Sequence, residues 1–172
     1  FDNTPQFLLR YMGYLCAPGF LMMNGAMCYY VFWRRRKAGE SALSVHWGFV
    51  QRGLFLVAVQ WLWVNASWSA FDRLRLDHLG IIATIGMSMI LLTWMSGWRW
   101  QLRAALVAVL FVAQPLLLMI PYDIHGAAHY PMELFVTAGE FTKYPLLPWF
   151  SLACLGSVMA HFWFEVWRDP DV

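Results

Sequence analysis

The chain has 172 residues, 60% of them hydrophobic and only 13% charged, with a mean hydropathy of +0.51. A water-soluble domain carries about a quarter of its residues as charges, so a soluble globule is excluded. The net charge of +2 is too small to hold a phosphodiester backbone, so no nucleic-acid partner is expected.

A membrane-spanning helix needs about 20 mostly apolar residues, and five stretches qualify: 7–33, 44–64, 78–95, 102–120 and 144–163. The fold class expected is therefore all-α, a polytopic transmembrane helical bundle of about five spans in a single domain, 1–172. Helices are the required form because unpaired strand edges are not tolerated in hydrocarbon. The first span holds Ala17-Pro18-Gly19-Phe20 and then Asn24-Gly25. Proline removes a backbone hydrogen bond, so this segment is expected either to line a cavity or to carry a plain packing kink. No signal peptide is read at the N-terminus, whose flank is acidic rather than basic.

Arg34-Arg35-Arg36-Lys37 follows, and a basic run between two spans orients them with the loop in the cytoplasm. That assignment places Arg34, Arg35, Arg36, Lys37, Arg99, Arg103 and Arg168 inside, against Arg10, Arg73, Arg75 and Lys143 outside. The N-terminus is then outside and the C-terminus cytoplasmic.

The second span carries Gln51, Arg52, Gly53 and Gln60. A charge at the depth of Arg52 is costly unless it snorkels, pairs or faces an anionic ligand. The sequon Asn65-Ala66-Ser67 falls outside and has meaning only in a eukaryotic source. The third span, after Asp77, is short. The stretch 121–143 is a long outer loop rich in Gly, Pro, His and Tyr, with an interfacial helix expected around 132–138; loops of this length usually serve a site.

His125 and His129 are four apart, yet Gly126 and Pro131 argue against the helical face that a metal pair would need, so no metal site is expected. His46 and His161 lie near the cytoplasmic border, either as ordinary interfacial histidines or as ligands for haem or chlorophyll. Cys16, Cys28 and Cys154 sit in apolar stretches and read as unpaired. Trp33, Trp47, Trp61, Trp63, Trp94, Trp98, Trp149 and Trp163 mark the span borders as an aromatic belt. The partner certain from composition is the lipid bilayer. Other membrane subunits or a second copy of the chain stay open.

Several motifs occur in one order: Leu9-Arg10, Cys16-Ala17-Pro18 with Phe20 and Gly25, Gln51-Arg52-Gly53-Leu54, Ile85-Gly86-Met87-Ser88-Met89, and Tyr144-Pro145-Leu146-Leu147-Pro148-Trp149 with Gly156. In this order they resemble the bacterial relatives of heparan-alpha-glucosaminide N-acetyltransferase, a membrane-embedded acyltransferase domain, over nearly the whole chain. The resemblance implies acetyl transfer from acetyl-CoA to an amino sugar or similar acceptor across a membrane, in bacteria the inner one. It implies that Arg52, Asn24 and Gly25 contribute to coenzyme binding, with Tyr144, Pro145 and Trp149 shaping the outer mouth. The family's first span, with Arg-Gly and a terminal catalytic His, has no counterpart here, and further helices are expected beyond the last span. The catalytic residue is therefore unassigned. A second reading is an accessory subunit of a larger respiratory or photosynthetic membrane complex, since a fold persists where chemistry is lost.

Overall fold

The computed structural model describes residues 4–68, 78–121, 126 and 129–167, with side chains described from 15 to 165 within these ranges. His125, Arg73, Arg75 and Arg168, and the Arg10 side chain, lie outside what is described. The described chain is all-helical: α1 (Thr4–Lys37), α2 (Ala42–Val59), α3 (Asn65–Trp68), α4 (Ile81–Met95), α5 (Trp100–Leu118), α6 (His129–Phe135) and α7 (Leu146–His161). A π-helical turn, Gln60–Val64, joins α2 to α3, and a second, Phe162–Trp167, extends α7.

Among the described residues, four helical stretches are long and apolar enough to cross a membrane: Leu15–Lys37, Ala42–Trp68, Trp100–Leu118 and Leu146–Glu165. The expected third span appears as α4, which begins only at Ile81 and has 15 residues. Its first three expected residues are drawn out of the helix. The Leu79 amide donates to the Phe141 carbonyl (2.7 Å), and Thr142 Oγ1 donates back to the Leu79 carbonyl (3.0 Å). The interfacial helix expected at 132–138 is α6, three residues earlier in the chain.

α1 runs unbroken through Pro18 and through the basic run. It stops at Gly39, whose φ of 88° is open to glycine at little cost. The Glu40 and Gly39 amides then donate to the Arg35 and Arg36 carbonyls, both at 3.1 Å, the paired bonds of a Schellman stop. Ser41 Oγ accepts from the Ser44 amide at 3.2 Å and opens α2.

α7 is the central helix. It packs on α1, α4 and α5, while α2 packs on α4 and α5 stands outboard. The core joins Leu21, Cys28 and Phe32 of α1 to Val45 and Phe49 of α2, Leu92 of α4, and Phe150, Ala153 and Cys154 of α7. Glycines set the closest approaches. A Cβ at Gly25 would overlap the Ala153 carbonyl, and one at Gly156 the Met22 carbonyl. Gly53 and Gly86 meet in the same way between α2 and α4, where a Cβ on either would lie 2.6 or 2.5 Å from the other's carbonyl oxygen. Lipid offers no hydrophobic gain on helix association, so close backbone contact supplies the attraction instead.

Candidate functional site

Of the coenzyme-binding residues expected from the sequence, Asn24 is half-buried on α1, Arg52 is exposed on α2, and Gly25 is buried against α7. Cys28 Sγ donates to Asn24 Oδ1 at 3.6 Å. Asn24 Nδ2 is buried with no partner among the described residues. A buried amide hydrogen-bond donor left unpaired is expensive, so this point of α1 is suited to a polar ligand group. Gly25, about 100° round the helix, serves the α1/α7 contact.

The end of the bundle away from the basic run carries a cavity of about 630 Å³, lined by Gln60, Asn65, Trp68, His78, Glu140 and Tyr144, among others. It is built on the π turn. The Asn65 amide donates to the Gln60 carbonyl, five residues back, and this wider turn aligns the two side chains. Gln60 Nε2 donates to Asn65 Oδ1 at 2.8 Å, and Asn65 Nδ2 donates to the His78 carbonyl at 2.7 Å. π turns occur frequently at functional sites. Asn65 is 4% exposed and engaged at both ends of its amide, so the sequon is closed to glycosylation in the folded protein.

His78 Nδ1 lies 3.0 Å from the Glu140 carbonyl. A carbonyl only accepts, so Nδ1 is the donor, and in the neutral ring Nε2 is then the nitrogen with the lone pair. The rim is fastened by Thr84 Oγ1, donating to the Tyr144 carbonyl (3.0 Å), and by buried Glu133, whose Oε2 accepts from the Phe141 amide (2.7 Å). Tyr144 and Trp149 meet edge to face, centroids 5.1 Å apart, at the same end.

The basic end holds a second cavity of about 500 Å³, between the start of α5 and the ends of α1 and α7. Arg103, 2% exposed, lies here with its guanidinium carbon 4.0 Å over the Tyr29 ring, and its Nη1 donates to the Ser157 carbonyl at 3.0 Å. Tyr29 Oη donates to Glu165 Oε1. His161 Nδ1 stands 3.1 Å from both Tyr29 Oη and Glu165 Oε2. Sequence reasoning counted Arg103 only among the cytoplasmic charges and read His161 as a border residue. The His161/Glu165 spacing of four was the available signal, since such residues share a helical face. Tyr29 and Arg103 arrive from distant segments.

His46 stacks between Phe32 and Trp94, with centroids 5.5 and 5.1 Å away. His129 Nε2 is 3.4 Å from Glu133 Oε1 within α6.

A helical bundle with four described stretches able to cross a bilayer, and with a cavity at each end, defines an integral membrane protein. The pattern of the family described as heparan-alpha-glucosaminide N-acetyltransferase, catalytic, matches residues 2–171. The chain belongs to that family. Comparison with curated proteins and with solved structures found no match.

Proposed function

We propose that the protein is a membrane acyltransferase that moves an acetyl group from acetyl-CoA to an amino sugar or a similar amine. The observation that carries this reading is family membership across residues 2–171. In such a transfer the thioester C–S bond breaks, an amide C–N bond forms, the thiolate leaves, and the amine gives up a proton.

The cavity on the π turn suits the acceptor. Its volume of about 630 Å³ lies within the range of small-molecule sites. Gln60 and Glu140 offer the amide and carboxylate groups that sugar hydroxyls and an amine need, and Trp68 and Tyr144 offer ring faces. His78 is the group suited to receive the amine's proton, because the Glu140 carbonyl holds its Nδ1 as donor and leaves Nε2 basic. This reading gives Arg52 and Asn24 to the donor and puts the basic end in the cytoplasm, as the basic run between two spans favours. There Arg52 would meet an anionic coenzyme and Asn24 Nδ2 an acyl or pantetheine carbonyl.

The test is acetyl transfer to glucosamine by purified full-length protein. His78→Ala is expected to lower kcat about 10²–10⁴-fold, the usual loss for a general base, with the thermal transition unchanged. A kcat equal to the parent's removes His78 from that role. Arg52→Ala is expected to weaken acetyl-CoA binding; unaltered binding removes Arg52 from the donor site.

A further inference from the structure

The cavity at the basic end combines three features with a common meaning. The first is the N-terminus of α5, a helix of 19 residues with Arg99 at its N-cap and no side-chain cap. Its first-turn amides, including those of Trp100 and Gln101, have no partner within the helix and carry the positive end of its dipole. The second is Arg103. Its contacts with the Ser157 carbonyl and the Tyr29 ring explain part of the guanidinium, yet Nε is buried and has no partner among the described residues. A buried, charged donor left unpaired is costly. The third is the wall itself, where exposed Arg99 and the indoles of Trp98 and Trp100 complete a cavity of about 500 Å³.

Among the described residues lining the cavity Glu165 is the one carboxylate, and it is engaged with Tyr29 and His161. Against it stand Arg99 and Arg103, with the Arg34–Lys37 run at the same end of the bundle. The balance is positive. Amide donors at a helix start beside a guanidinium are the recurring equipment of phosphate recognition, and flat indoles beside them suit a base or an interfacial glycerol.

We infer that this cavity, framed by the α5 N-terminus, Arg99 and Arg103, is a phosphate-binding site. Two sources carry that chemistry at this depth: the phosphorylated nucleotide of an acyl coenzyme, and the headgroup of an anionic phospholipid. The inference rests on the acyltransferase reading only for the first source.

The experiment uses purified full-length protein in phosphatidylcholine nanodiscs. Adenosine 3′,5′-bisphosphate is titrated in one arm and followed by tryptophan fluorescence. In the other arm the discs contain phosphatidylglycerol, and retained lipid is read by native mass spectrometry. Binding in either arm, weakened about tenfold or more by Arg103→Gln, is expected from the loss of a charge-assisted donor; lipid retention alone supports the site and gives its phosphate to the bilayer. Arg99→Gln, an exposed change that leaves the fold intact, is expected to weaken binding severalfold and carries the test if Arg103→Gln does not fold. Binding of neither probe, or parental affinity in every variant that folds, overturns the site. Phosphate binding by a protein with no acyl transfer leaves the site standing and removes the acyltransferase reading. Acyl transfer without arginine-dependent phosphate binding does the reverse.

Discussion

Asn65 ties the π turn to the entry of α4 through two hydrogen bonds, to Gln60 and to the His78 carbonyl. Asn65→Ala leaves the Gln60 amide and the His78 carbonyl without partners in a buried setting. A loss of about 1–3 kcal/mol is expected, visible as a lower thermal midpoint in detergent; an unchanged midpoint would mean that water replaces both bonds. Glu40 offers a residue-scale prediction in pH. Arg35 Nε donates to Glu40 Oε1 (2.8 Å) and Nη2 lies 2.5 Å from Oε2, and this fork holds the Glu40 carboxyl below the usual carboxylate range. A folded pKa below the unfolded one means the pair's contribution is complete above the unfolded value and is lost as pH falls through the folded value. Hydrogen-exchange protection of the Gly39 and Glu40 amides should therefore stay level down to about pH 5 and decline below about pH 4. Protection that declines between neutral pH and pH 5 would contradict this.

At the scale of elements, the bundle depends on where backbones touch. Gly25 against Ala153 and Gly156 against Met22 leave no room for a methyl group, and the opposing atoms are backbone carbonyls that cannot rotate away. Gly25→Ala or Gly156→Ala is expected to cost about 1–3 kcal/mol or more through overpacking. The paired change should cost less than the sum of the two, because the first already separates α1 from α7; strict additivity in thermal melts would argue for independent sites. The helices themselves were legible because hydrophobic length is a local property: α1, α2 with its π turn, α5 and α7 overlie most of the stretches 7–33, 44–64, 102–120 and 144–163. The shortened α4 was not, because His78 and Leu79 leave the helix for hydrogen bonds with residues about 60 positions away. The π turn was equally hidden. Gln60 and Asn65 are five apart, a spacing that fits no α-helical face.

Across the whole molecule, polarity is sorted to the two ends. One end holds the basic run with Arg99 and Arg103. The other holds the amide, imidazole and carboxylate groups around the π turn. Motif order in the sequence pointed to the family. It could not pair Tyr29 with Glu165 or bring Arg103 under α7, since those contacts join residues 54 to 136 positions apart. A protein so divided is suited to passing a small acyl group between substrates that meet it from opposite sides. Proteoliposomes give the most direct measurement. Labelled acetyl-CoA is supplied only on the side bearing Arg34–Lys37, glucosamine only on the other, and labelled N-acetylglucosamine is counted in the glucosamine compartment. The expected result is label appearing there and depending on His78. Folded full-length protein that yields no labelled product, or yields it only when both substrates share one compartment, would contradict transfer across the membrane.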